Sequence, residues 1–369
     1  MLLYIYYYLL FFINVCAVYK KKKSKLLTYT NVLSFLLFFV SERAVYGDHY
    51  WYKEDFFNSN LDNARDLMFN ILIVFCRYIN INSYTTFLAV VYSLGVFFTY
   101  QGIKKITKNY HPLYAVMFTY IYPLCGVAIR QYLGLTLCIF ALNFLYNKQY
   151  LRYLLFVIIA GLFHFSVLFS LVFFVPAFIS NCKSARIRQL SQNTGYLILI
   201  ASSLLAVIAY YYKSTPWLAT LLKLLESNSY NDRNISVYMV EASGNSGLII
   251  LPIFLSCLAL SFYMKKCYDK VCLSNETRYI DFNHNIALYS SLLLPLLFVD
   301  TIFMRLLCIT TVMNLVTYGF CLENRIFKSS GLNFLLFIAV LLSWFILDYF
   351  QFYECGSQPW IKETILYFG

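Results

Sequence analysis

Apolar runs long enough to cross a lipid bilayer recur along this chain and leave little sequence for anything else. A bilayer has a hydrocarbon core of about 30 Å, so a crossing helix needs about 20 predominantly apolar residues. Hydrophobic residues make up 61% of the 369 residues, and only 12% are charged, whereas a typical soluble domain is about 25% charged. We therefore predict a single all-α transmembrane domain over 1–369, a polytopic integral membrane protein with about 10–12 transmembrane helices, including re-entrant or half-span segments.

The predicted crossings are separated by short polar segments. Residues 67–82 are short and carry Arg77, which favours an interfacial or re-entrant helix over a crossing. Residues 154–180 are too long for one crossing and have basic segments on both sides, so we predict two half-spans hinged near Gly161 and His164. Outer loops are predicted at 42–66 and 213–246. The remaining crossings are predicted at 1–19, 26–41, 83–101, 110–126, 127–146, 194–212, 247–264, 284–302, 303–321 and 331–350.

The net charge of +12 comes mainly from short basic segments between the predicted helices. Such segments set topology, because Lys and Arg accumulate in cytoplasmic loops. We therefore place the basic segments inside and expect a lipid bilayer, and no nucleic acid, as the partner of this charge. Cys76 and Cys355 fall outside in this topology, and we predict a disulfide between them. The basic segments lie at 20–25, 104–108, 148–152, 183–188, 265–278 and 325–328.

Arginines at the outer ends of the predicted helices are exceptions to this distribution. Each has an ordinary explanation, because an Arg near a helix end commonly extends to the lipid headgroups. A His in an apolar run, such as His164, is usually a hydrogen-bonded packing residue. Charged groups at membrane depth are nevertheless costly and tend to face a cavity or a substrate path. The four outer arginines are Arg43, Arg130, Arg233 and Arg305.

Several arginines and one histidine at an outer membrane surface suit a lipid-linked diphosphate. The planar guanidinium pairs bidentately with phosphate oxygens and stays charged in any environment. A histidine can take a proton from an attacking hydroxyl, and Asp48 is a second candidate acid or base. The aromatic side chains of 50–52 offer flat surfaces for sugar rings. We see no acidic cluster suited to a divalent cation, and we expect no cofactor or metal.

Three short motifs follow one another along the chain. They are Arg43, Gly47, Asp48 and Tyr50, then Arg130 and Gln131, then Phe163, His164 and Ser166. Their order and spacings resemble those of the EpsG-like branch of Wzy-type polysaccharide polymerases. The resemblance covers roughly residues 35–180, and the rest of the chain is similar only in hydropathy and in Arg305. One departure is His49, which separates Asp48 from Tyr50 where the family typically has an aromatic directly after the aspartate.

The resemblance implies an enzyme that joins undecaprenyl-diphosphate-linked oligosaccharide repeat units into O-antigen or capsular polysaccharide. The reaction would occur on the outer, periplasmic face of a bacterial cytoplasmic (inner) membrane, with a chain-length regulator as a further candidate partner. Arg130 and Arg305 would hold the diphosphate, and His164 would act as base. The wider set of substrate-binding candidates adds Arg43, Gln131, Arg233 and Tyr50.

Two other classes remain open at this point. A flippase or transporter for lipid-linked sugars would predict internal repeats and charges through the full depth of the bundle, and the sequence has neither. An outer-face O-antigen ligase or acyltransferase would share the anion-binding chemistry of a polymerase. Only the loop 213–246 and an acceptor assay could distinguish a ligase from a polymerase.

Overall fold

The chain is described here by a computed structural model, which covers residues 2–40, 49–58, 66–117, 128–180, 185–211, 246–271, 277–297, 307–327 and 331–355. All regular structure within these ranges is helical, which confirms the all-α prediction. The helices are α1 (Leu2–Tyr19), α2 (Lys25–Val40), α3 (His49–Asn58), α4 (Leu67–Tyr78), α5 (Tyr84–Ile103), α6 (His111–Val116), α7 (Ile129–Tyr146), α8 (Tyr150–Phe163), α9 (Phe174–Ser180), α10 (Ala185–Tyr211), α11 (Ser246–Asp269), α12 (Thr277–Tyr289), α13 (Leu294–Leu297), α14 (Leu307–Glu323) and α15 (Gly331–Cys355).

Several of these helices are membrane-spanning in length and composition, which confirms a polytopic membrane protein. Helix α4 has 12 residues and is about 18 Å long, too short for a crossing of about 30 Å. Within the described residues, the helices long and apolar enough to cross are Tyr84–Ile103, Ile129–Tyr146, Gln189–Tyr211 and Ile250–Asp269.

The predicted hinge between two half-spans is confirmed at His164. Helix α8 ends at Phe163, His164 has an extended backbone, and a 3₁₀ segment over Phe165–Phe173 leads into α9. The chain folds back on itself there, because the ring centroids of Tyr150 and Phe178 are only 5.5 Å apart. The 14 residues of α8 reach about 21 Å, which is shorter than a crossing of about 30 Å. We call α8, the 3₁₀ segment and α9 the hinged hairpin.

The basic segments gather at one end of the helix bundle. The Glu323 carboxylate pairs with Lys23 Nζ at 2.8 Å and accepts the backbone N–H of Lys108 at 3.0 Å. Nearby, the ring of Tyr279 contacts Phe320 at 5.7 Å and Tyr146 at 5.3 Å. Segments that share one side of a membrane must lie close together in this way, and the placement of that side as cytoplasmic stays a prediction.

Two predicted boundaries and one predicted bond differ in the structure. Helix α10 begins at Ala185, well before the predicted start at 194, because its polar first turns continue the same helix. The predicted crossing 284–302 is broken after Tyr289 by a 3₁₀ turn, in which the Ser290 and Ser291 hydroxyls bond back to the carbonyls of residues 287 and 288. Pro295 also removes a helix donor there.

The predicted disulfide between Cys76 and Cys355 is wrong. Cys76 is a free, buried thiol. It lies on the buried face of α4 with Phe69 and Ile73, so it packs as a small apolar group in the core.

The hairpin geometry predicts a specific cross-link. In the double variant Tyr150→Cys with Phe178→Cys, we expect a disulfide to form under mild oxidation, because these side chains touch at the base of the hairpin. One uninterrupted helix would separate the two positions by about 40 Å. The linked peptide can be identified by mass spectrometry. Leu151→Cys with Phe178→Cys is the control and should give a lower yield, since Leu151 is 84% exposed. Absence of the link between positions 150 and 178 would contradict the hairpin.

Candidate substrate site at the start of α7

The described structure brings together three of the predicted site residues. Arg130 and Gln131 open α7, and His164 forms the hinge of the hairpin. Tyr50 lies in α3. The other predicted site residues lie outside the described ranges: Arg43, Asp48, Arg233 and Arg305.

Gln131 connects α7 to the hinge through Ser166. The Gln131 Nε2 amide donates to Ser166 Oγ at 2.8 Å, and both side chains are buried. Ser166 Oγ is 2.9 Å from His164 Nδ1, and the Ser166 backbone N–H donates to the same nitrogen at 3.3 Å. His164 is therefore both the hinge residue and the N-cap acceptor of the 3₁₀ segment.

These contacts fix which imidazole nitrogen is the acceptor. A backbone N–H can only donate, so Nδ1 of His164 must accept, and the neutral ring then carries its hydrogen on Nε2. Because Ser166 Oγ accepts from Gln131, its own hydroxyl hydrogen is directed at Nδ1. A proton taken up by this histidine goes to Nδ1, where the Ser166 hydroxyl already lies.

Arg130 lies in a separate cluster formed by α3, α4 and α7. Its Nη1 is 2.6 Å from Asp66 Oδ2, and the guanidinium carbon is 4.9 Å from the ring centroid of Tyr52. Among the described residues, the buried Nε of Arg130 has no hydrogen-bond partner. We call Arg130, Asp66 and Tyr52 the arginine cluster.

Aromatic contacts hold α3 over the end of α7. Phe56 packs on Phe87 of α5 with ring centroids 4.9 Å apart, and Tyr52 packs on Phe69 of α4 at 5.8 Å. Aromatic pairs of this kind contribute about 0.5–1.5 kcal/mol beyond their buried area. The short helix therefore presents the face of Tyr52 to Arg130 in a defined position.

The first turn of α7 links the arginine cluster to the hinge. Successive residues of a helix point about 100° apart, so Arg130 reaches α3 and α4 while Gln131 reaches the hairpin. Gly134, one turn on, permits this close packing, because a Cβ there would lie 3.0 Å from the carbonyl oxygen of Ala160 and 2.8 Å from Val167 Cγ2. One helix end thus positions a cation and a histidine on neighbouring surfaces.

Sequence reasoning missed Asp66 and the contacts of Gln131. Asp66 stands in no motif, and nothing in the sequence indicates that the chain before α4 returns to the end of α7. Gln131 and Ser166 are 35 residues apart, and only the fold of the hairpin shows that they bond. Tyr52 was predicted as a sugar-stacking surface, whereas its ring contacts Arg130.

The fold is that of an all-helical, polytopic membrane protein, with a partly buried arginine and a histidine hinge at the start of α7. Residues 26–362 match the model of the EpsG family, and the chain therefore belongs to the EpsG family. This membership confirms the resemblance and indicates a polysaccharide polymerase-like role. No curated protein and no solved structure matches the chain.

A single added methyl group at Gly134 tests the packing of α7 on the hairpin. We expect Gly134→Ala to lower the free energy of unfolding by about 1–3 kcal/mol, because the new Cβ overpacks against backbone. Thermal unfolding of the purified protein measures the effect. Gly331→Ala is the matched control, since a Cβ at Gly331 meets nothing within 4 Å. Equal melting temperatures for the two variants would contradict the close approach.

Proposed function

We propose that this protein polymerises lipid-linked oligosaccharide repeat units at the outer face of the bacterial cytoplasmic membrane. Its substrate is an undecaprenyl-diphosphate-linked oligosaccharide, and its product is O-antigen or capsular polysaccharide. The observation that carries the proposal is the partly buried Arg130 guanidinium, which lies beside the histidine hinge in a chain of the EpsG family. A chain-length regulator is a further proposed partner.

The proposed step is a glycosyl transfer between two lipid-linked chains. The non-reducing-end hydroxyl of a new unit attacks the anomeric carbon of the growing chain, and a new glycosidic bond forms. The bond from that carbon to the diphosphate breaks, and the polyprenyl diphosphate leaves with the electron pair. Preorganised cations that meet such developing charge are often the largest catalytic contribution. The step uses no metal or cofactor.

The proposed roles follow from chemistry and position. Arg130 and Arg305 bind the diphosphate, with Arg43 and Arg233 assisting and Tyr50 as a further substrate-binding residue. His164 accepts the proton of the attacking hydroxyl at Nδ1, and the Ser166 hydroxyl then turns to accept from the protonated nitrogen. Gln131 is buried and holds Ser166, so we assign it a positioning role. Asp48 is the second candidate base.

The polysaccharide banding pattern of cells that lack the protein tests the proposed function. A polymerase predicts loss of long chains while single-unit material remains. Loss of both would indicate the alternatives, a flippase or transporter for the lipid-linked sugars or an outer-face ligase. An unchanged pattern with loss of an acyl modification would indicate an acyltransferase.

Replacement of Arg130 by Lys tests diphosphate binding. Lys keeps the charge but lacks the planar fork, and this exchange is not conservative at a bidentate site. We therefore expect Arg130→Lys to be made at normal abundance but to lose most long-chain polymer. Arg152→Lys is the control, because Arg152 is exposed at the basic end, where it donates to Gln149 Oε1 at 3.1 Å. Full-length polymer in Arg130→Lys and in Arg130→Ala would leave only a headgroup-anchoring role.

Replacement of His164 separates catalysis from its capping role. Asn is a good N-cap residue and Gln retains a hydrogen-bonding amide, but neither takes up a proton at neutral pH. We expect His164→Asn and His164→Gln to insert normally and to lose polymerisation by about 10²–10⁴-fold, the usual cost of removing a positioned base. Chain length at matched expression is the measurement.

The matched control for this replacement is His284→Gln. His284 is buried elsewhere in the bundle, where its Nδ1 contacts Ser261 Oγ at 3.1 Å and its Nε2 contacts the Tyr196 hydroxyl at 3.5 Å. Normal chain length in both His164 variants would return that residue to a packing role and would make Asp48 the candidate base.

A further inference from the structure

The arginine cluster is electrically balanced before any substrate binds. Arg130 Nη1 lies 2.6 Å from Asp66 Oδ2, so the guanidinium and the carboxylate cancel each other's charge. A diphosphate on the same guanidinium would place two or more negative charges within a few ångströms of Asp66. Like charges at that separation in a partly buried site repel strongly. Asp66 and a diphosphate therefore compete for Arg130.

Asp66 has a second place for its carboxylate. It directly precedes α4 at the N-cap position, but its side chain makes no capping hydrogen bond there. Asp is among the residues preferred at N-caps because its carboxylate accepts the orphan N–H groups of the first turn. The helix dipole also favours a negative charge at this end. Rotation of the Asp66 side chain would therefore break its ion pair with Arg130 and form hydrogen bonds to the first turn of α4.

Arg130 is held in position independently of Asp66. The Tyr52 ring lies 4.9 Å from the guanidinium carbon and is itself only 2% exposed. The buried Nε–H of Arg130 has no hydrogen-bond partner among the described residues. Once Asp66 releases Nη1, the Nη1 and Nη2 groups form a two-donor edge that can bind phosphate oxygens bidentately, and the Nε–H is a further donor.

We propose that Asp66 is the resting counter-ion of Arg130 and that a lipid-linked diphosphate displaces it toward the N-terminus of α4. This inference rests on the proposed function, because it requires a diphosphate at Arg130. Asp66 is a positioning residue that sets affinity and does not touch the reacting atoms. The exchange selects for charge, since a neutral lipid cannot displace a carboxylate from a guanidinium.

Binding of farnesyl diphosphate to the purified protein in lipid nanodiscs tests this exchange, with farnesol as the neutral comparison. Asp66→Asn removes the competing charge at nearly constant shape, and Asp66→Ser provides a second variant that also retains an N-cap side chain. We expect both to bind farnesyl diphosphate about tenfold more tightly than the wild type, with farnesol binding unchanged. Glu54→Gln is the control, because it removes an exposed carboxylate from α3.

The double variants show whether the effect passes through Arg130. In an Arg130→Ala background, Asp66→Asn should raise the affinity for farnesyl diphosphate by much less than tenfold, because no guanidinium is then released and only the direct repulsion between Asp66 and the diphosphate is removed. If the wild type binds farnesyl diphosphate more tightly than farnesol, but both Asp66 variants bind farnesyl diphosphate no more tightly than the wild type, the exchange is overturned. The proposed function would not be affected by that result. Absence of any diphosphate preference in the wild type would overturn both.

Discussion

The turn at His164 is possible only because its backbone groups find partners inside an apolar bundle. Unsatisfied backbone groups are costly at membrane depth, so irregular chain is tolerated there only where it is buried in protein or lines a cavity. The His164 N–H donates to the Ala160 carbonyl at 3.2 Å, and the His164 carbonyl accepts the N–H of Val167 at 3.0 Å. The Ser166 N–H uses the His164 imidazole. The histidine is thus part of the turn that places it.

The hinge and the arginine cluster are coupled through one helix end. Gln131 bonds to the hinge while its neighbour Arg130 bonds to Asp66, so a shift of α7 would disturb both sites together. Gly134 allows the approach, and the aromatic contacts of α3 close the cluster from the other side. The bundle supplies rigidity at the basic end, where Glu323 joins two segments that are far apart in sequence.

Hydropathy and charge predicted the fold class and the hinge. Both predictions need only the lengths of the apolar runs and the positions of the basic segments between them. The break after Tyr289 was missed because Ser hydroxyls bonding back to the helix and Pro295 look unremarkable within an apolar run. In the site, Arg130 and His164 stood out as polar residues in apolar surroundings. Asp66 did not, because an acidic residue in a predicted loop needs no explanation until its partner is known. Side-chain contacts between residues that are far apart in the sequence, such as Arg130 with Asp66, leave no pattern in the sequence around either residue.

The most direct test of the account is elongation by the purified protein in nanodiscs, supplied with lipid-linked repeat units and no nucleotide sugar. The account predicts lipid-linked chains of increasing length, with one polyprenyl diphosphate released for each new glycosidic bond. Elongation that required a nucleotide sugar, or transfer of single units to a different acceptor without release of polyprenyl diphosphate, would contradict it.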